Sequence, residues 1–176
     1  PYTTLFRSDS IAAALSYSYL KRRLGMDAVA VRAGEINKES RFALDYFNLE
    51  EPMLVTSVAR KNPEDEKQKV ILVDHNESKQ TIDGMDDAEV LEIIDHHRFG
   101  DFESENPIFI LVRPVGCVNT VIYGLYKTNH IKPSREIAGI MLSAIISDTV
   151  LFRSPTTTEE DKETAKELAE IAGVDY

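Results

Sequence analysis

Short β-branched apolar runs alternate along this chain with longer amphipathic stretches, a pattern that predicts repeated strand–helix units. Residues 10–24 (SIAAALSYSYLKRRL) read as a helix, with Asp9 as N-cap and Gly25 as the stop. Ile11, Leu15, Tyr19 and Leu20 supply its apolar stripe, and Lys21, Arg22 and Arg23 suit the negative end of the helix dipole. A strand over 28–32 (AVAVR) and a helix over 38–47 capped by Asn37 come next. KVILVD (69–74) and VLEIID (90–95) are compact apolar strands that each end in an aspartate, and IFILVR (108–113) is a further strand. Helices follow over 117–129 and 134–149, the second so apolar that it must be central. The last helix, 158–172, starts at Thr157 or Thr158 with an acidic first turn and ends before Gly173. The polar stretch 59–69 reads as a loop.

This order predicts an α/β fold: a mostly parallel, Rossmann-like sheet with right-handed crossovers and helices on both faces. A length of 176 residues suits one domain, so residues 1–176 are read as a single unit. Charge interrupts every long apolar stretch, which argues against a membrane partner, and the start PYTTLFRSDS lacks the features of a secretory signal. The single cysteine, Cys117, fits a reducing compartment, with cytoplasm as the expected location. A net charge of -10 argues against a nucleic-acid partner gripped through a basic surface. It also means that an anionic substrate would need bound cations to invert the local field.

Candidate chemistry follows from strand ends. In open parallel sheets ligands sit beyond the carboxyl ends of the strands. Asp74 follows one apolar strand and Asp95-His96-His97 another, so both groups should emerge at one edge. Burying carboxylates and imidazoles there is costly unless a cation is bound. Asp148 closes an apolar helix, where an acid opposes the macrodipole, and so joins the candidates. Asp9 precedes the first helix; alone it would be read as only an N-cap. Carboxylates with one or two imidazoles suit Mn²⁺ and similar divalent ions. His75 should point to the other face of its strand as a supporting or core residue, and His130 belongs on the solvated surface. Cys117 is read as a small buried hydrophobe, not as a nucleophile.

VDHNE (73–77), IIDHHR (93–98), RPVGCVNT (113–120) and AIISDT (144–149) together resemble the DHH phosphoesterase superfamily. Within it, these four motifs in order are similar to the manganese-dependent, family II inorganic pyrophosphatases, and ALDYFNLEEP (43–52) extends the likeness. The resemblance implies Mn²⁺ as cofactor, two ions per site, with Mg²⁺ or Co²⁺ as substitutes. It implies Asp9, Asp74, His96 and Asp148 as metal ligands, with Asp74 and Asp148 shared by the pair. It implies His97 as the catalytic residue donating to a phosphate oxygen, and Asp95 as its catalytic-site companion orienting the imidazoles. The implied reaction is hydrolysis of pyrophosphate to two phosphates, with in-line attack of water on phosphorus between two metals.

Two departures qualify the resemblance. Residues 1–8 (PYTTLFRS) contain neither the histidine nor the first aspartate of the family's amino-terminal motif, and do not read as its first strand. The family's second domain, whose Lys and Arg side chains clamp phosphate, has no counterpart before Tyr176. The chain is therefore expected to be a fragment with residual metal affinity and little turnover. Alternatives within the superfamily are an exopolyphosphatase or a small-oligonucleotide phosphodiesterase; outside enzymes, a non-catalytic dimerising module. No inserted segment is long enough for adenine-nucleotide regulation. The resemblance also implies a homodimer, for which the 108–113 strand is the physical candidate if it lies at the sheet edge; a central buried strand is the alternative.

Overall fold

The computed structural model describes residues 2–4 by their backbone, and residues 10–77 and 82–176 in full. Among the described residues six strands form one sheet: β1 (Tyr2–Thr4), β2 (Val29–Arg32), β3 (Met53–Leu54), β4 (Lys69–Val73), β5 (Glu89–Asp95) and β6 (Phe109–Val112). Their spatial order is β3-β2-β1-β4-β5-β6, and every pairing is parallel. Val70, Ile71, Leu72 and Val73 of β4 are all fully buried. A continuous apolar run is what a strand covered on both faces requires.

The expectation that the amino-terminal segment is not a strand is corrected here. Tyr2–Thr4 lies between β2 and β4 and pairs with both. A three-residue strand has too little pattern to show itself; its pairing on two sides, not its own hydrophobicity, defines it. β3, with only two residues, escaped notice for the same reason.

Among the described residues five α-helices accompany the sheet: α1 (Ile11–Arg23), α2 (Lys38–Tyr46), α3 (Val118–Thr128), α4 (Arg135–Asp148) and α5 (Glu159–Ala172). All five contribute to one core against Ile71, Val73 and Ile94. The opposite face, with Val70, Leu72 and Ile93, is covered by Val58, Ile82, Phe102, Ile108 and a single 3-10 turn, Met85–Asp87. Both faces are thus covered, but the expected helices on both are corrected: among the described residues the α-helices lie on one face, and loops with this turn cover the other. The strand order explains why: the chain steps one way from β1 to β3 and the other way from β4 to β6. Right-handed crossovers then place the two sets of connections on opposite faces.

α1 also departs from its expected stripe. Ala12, Ala13, Ala14, Ser16, Tyr17 and Ser18 are buried together with Ile11 and Leu20, while Leu15 and Tyr19 are only partly buried. Its small side chains let it pack against the sheet, α3 and α4 at once. α4 is central as expected, buried from Ile137 to Leu142. The caps of α2 and α5 agree with the sequence: Asn37 accepts from the Ser40 amide, Thr158 forms a capping box with Asp161, and Gly173 ends α5 at φ 66°. At α1 the N-cap position belongs to Ser10 and not to Asp9, which was expected there. After Asp148 the backbone turns left-handed through Val150, Leu151 and Phe152, with φ of 50°, 54° and 63°.

Candidate metal centre

The sheet order reverses direction between β1 and β4, and in such sheets the crevice outside this switch point is where ligands bind. Asp74 stands there, one residue beyond β4, with its backbone left-handed at φ 65°. Its amide still bonds the Ile94 carbonyl at 2.9 Å, tying the end of β4 to β5. Asp95 closes β5, and His96 and His97 follow, so the two groups share one edge as the sequence implied.

The two oxygens of Asp74 are in different situations. Oδ2 accepts from the Ser10 hydroxyl at 2.7 Å. Ser10 holds the N-cap position of α1 but makes no side-chain cap bond, because its hydroxyl is turned to Asp74. Oδ1 is buried and accepts no aligned hydrogen bond among the described residues, although His96 Nε2 stands 3.1 Å away. His96 Nδ1 lies 2.9 Å from the Val115 carbonyl, which can only accept; Nδ1 therefore carries the ring proton. The neutral ring presents a lone pair at Nε2 to a carboxylate oxygen. Such a pair needs a cation between its members.

In the absence of metal that cation is a proton. Burial opposes charging His96, but Asp74, the Val115 carbonyl and Asp148 outweigh it and push its pKa up to about 9. The fit to a divalent ion rests on this pair: a buried oxygen without a donor, and an imidazole whose tautomer is fixed from behind.

Asp74, Asp95, His96 and His97 each bring a ligating atom within 4.8 Å of the others. Asp95 nevertheless does not fit a ligand's role. Its Oδ1 accepts from the His96 amide at 2.7 Å and the His97 amide at 3.2 Å, and lies 2.8 Å from His97 Nδ1. Its Oδ2 accepts from Asn76 Nδ2 at 2.5 Å. Burial works against its charge, yet these donors hold its carboxyl below the ordinary value. Asp95 is fully buried; it orients the His97 ring and ties down the His96 backbone amide, while His97 is half exposed. With Nδ1 engaged by Asp95, the His97 pKa is raised by that contact against the cost of burial. Its Nε2 is then the atom left for a ligand.

Asp148 ends α4 and acts electrostatically on both His96 and Cys117. Burial first, and then Asp148, push the Cys117 thiol well above its usual range, so it stays protonated and hydrogen-bonds Asp148. Cys117 is thus buried as expected and has a polar task as well. His75 is buried with Nδ1 3.2 Å from the Val73 carbonyl, and burial lowers its pKa. His130 is exposed in the turn after α3. Asp9 lies outside the described residues. Ser10 and Asn76 were missed; each sits beside a residue that was singled out, but nothing in the spacing marks its partner.

A family model described as the DHH family, N-terminal domain, matches residues 8–145. A manganese-dependent inorganic pyrophosphatase of Bacillus subtilis is 51% identical over 168 residues, covering 96% of this chain and 53% of the relative. The chain therefore spans about half the length of the curated relatives it matches. A crystal structure from Methanococcus jannaschii, assigned to family II inorganic pyrophosphatase, superposes with a TM-score of 0.87 at 39% identity, over 99% of this chain and 57% of that one. An exopolyphosphatase-related protein from Bacteroides fragilis shares the fold alone, with a TM-score of 0.69 at 16% identity, over 99% of this chain and 52% of its own. By the extent of the family match, and with the geometry of its two strand ends, the chain belongs to the DHH family as its N-terminal domain.

Proposed function

We propose that this chain is the metal-binding catalytic domain, residues 1–176, of a manganese-dependent inorganic pyrophosphatase that hydrolyses pyrophosphate to two phosphates. The observation that carries the reading is the facing pair of Asp74 Oδ1 and His96 Nε2, 3.1 Å apart with no aligned hydrogen bond to the oxygen. Asp74, His96, Asp148 and Asp9 would hold the metal. Two divalent ions, when bound, supply neutralisation of phosphate charge and activation of water. His97 donates from Nε2 to a phosphate oxygen, and Asp95 keeps the ring turned for that contact. The acidic residues of the centre give the cations their attraction, in a chain whose net charge of -10 would otherwise repel pyrophosphate.

The name of the B. subtilis relative supports both the metal and the substrate, and that of the M. jannaschii protein supports the substrate. The test is phosphate release by the full-length product of the gene in Mn²⁺, from pyrophosphate, long-chain polyphosphate and short oligonucleotides. Preference for pyrophosphate is expected; equal or faster cleavage of either alternative would overturn the substrate.

The same reading includes a homodimer formed through β6. This strand lies at the sheet edge among the described residues, with Phe109 50% and Ile110 43% exposed. An apolar, unpaired edge is a template for a second strand. Replacing Ile110 with proline should reduce the solution mass from about twice to once the 19.8 kDa chain. An unchanged dimer would move the interface elsewhere. A cytoplasmic setting accords with the buried free thiol of Cys117. No helix among the described residues is long and apolar enough to cross a membrane.

A further inference from the structure

Two residues beyond Asp74 the chain carries Asn76, whose side chain is buried and has its bonding capacity divided between two segments. Nδ2 donates to Asp95 Oδ2 at 2.5 Å and to the Arg98 carbonyl at 3.0 Å, while Oδ1 accepts from the Gly100 amide. One amide group therefore grips the last residue of β5 and both ends of the Arg98–Gly100 turn. The turn is close-fitting there: a Cβ on Gly100 would lie 2.5 Å from Glu77 Cγ and 3.2 Å from Asn76 Oδ1. Arg98 adds a second strap, with Nη2 3.2 Å from Glu77 Oε1.

We propose that Asn76 is a positioning residue of the centre: by fixing Asp95 Oδ2 and the Arg98–Gly100 turn, it sets the His97 ring with Nδ1 on Asp95 and Nε2 toward the ligand. The consequence for phosphate rests on the reading of His97 given above; the ring orientation does not.

The physical argument is one of competition for Asp95. A carboxylate whose second oxygen lacked a donor would rotate to find one, and the bond that orients His97 would be the one released. Asn76 removes that freedom by occupying Oδ2. It also belongs to the segment that carries Asp74, so the metal-facing carboxylate and the phosphate-facing imidazole are referenced to one stretch of backbone. His96 is held differently, by the Val115 carbonyl, and so serves as an internal control.

The test compares the metal-free chain with Asn76→Asp and Asn76→Ser, reading both histidine tautomers from long-range ¹H–¹⁵N correlations at a pH where the rings are neutral. In the unaltered chain both rings should be Nδ1–H forms. In each variant His97 should revert to the mixture of tautomers of a free imidazole while His96 keeps its proton on Nδ1. In parallel, in the full-length product of the gene carrying the same variants, Mn²⁺ affinity should stay within about threefold, whereas imidodiphosphate binding to the Mn²⁺-loaded protein should weaken by about tenfold or more. A His97 tautomer unchanged in both variants would overturn the proposal. So would simultaneous loss of both tautomers, or unfolding of both variants by circular dichroism, since either would make Asn76 a general support of the fold. If the unaltered full-length protein binds no imidodiphosphate, the phosphate role of His97 fails, and the tautomer comparison still decides the role of Asn76.

Discussion

Asp161 and Asp74 are both aspartates withdrawn from solvent, and the molecule treats them in opposite ways. Asp161 is fully buried, and both its oxygens are in use. Oδ1 accepts from the Thr120 hydroxyl at 2.6 Å, and Oδ2 from the Gly116 amide at 2.8 Å and the Thr158 amide at 2.7 Å. It knots the start of α5 to the start of α3 and has nothing left to offer. Asp74 accepts one hydroxyl and leaves its other oxygen facing His96 Nε2, a nitrogen lone pair whenever that ring is neutral. A carboxylate that completes its bonds within the protein contributes stability; one that is denied them retains capacity for a ligand. Burial alone does not separate the two.

The comparison breaks most sharply at Asp74. Asp74→Ala should abolish saturable Mn²⁺ binding, an effect larger than about 100-fold, in a titration followed by electron paramagnetic resonance. The same variant, free of metal and at a pH above about 9 where His96 is neutral, should melt no lower than the parent, because an unsatisfied buried acceptor has been removed. A large fall in melting temperature would mean that Asp74 is structural after all.

Asp161→Ala should do the reverse. Stranding the Gly116 and Thr158 amides should cost about 3 kcal/mol in denaturant unfolding, with Mn²⁺ affinity of the folded chain unchanged. Acid sharpens the contrast further. Burial would raise the Asp161 pKa, but Thr120, Thr158 and Gly116 outweigh it and hold the carboxyl below its ordinary value. Its stabilisation is then complete above the pKa of the unfolded carboxyl, about 3.9, and is lost as pH falls through the lower folded value. Urea melts of Asp161→Asn should show a shallower loss of stability than the parent across that window; parallel curves would refute the assignment. The smallest effect is expected at His130, which is exposed in the turn after α3: His130→Ala should leave stability within about 0.5 kcal/mol and Mn²⁺ binding unaltered.

What could be read from the sequence divides along the same line. Asp74 and Asp95-His96-His97 were legible because apolar strands point at them, and strand ends in a parallel sheet have a known destination. Thr158 and the acidic turn of α5 were legible as a cap; the other half of the Asp161 knot, Gly116 and Thr120, lies more than 40 residues away, and no local pattern announces it. Asp95 could be assigned an orienting task, but Asn76, which completes that task, looks like any polar residue after a strand. The 108–113 strand could have been central or peripheral, since its residues are apolar either way; only its neighbours in the sheet place β6 at an edge. β1 stayed invisible because three residues carry no period.

The left-handed turn after Asp148 offers a protein engineer a handle that lies away from the chemistry of the side chains. Val150, Leu151 and Phe152 each occupy a backbone region that L-residues enter at roughly 1–2 kcal/mol apiece, and Val150 and Leu151 are largely exposed. Glycine would relieve that strain at a position where little packing is lost. Val150→Gly is therefore a candidate for thermostabilising a domain whose core is already filled, by easing its backbone instead of adding contacts.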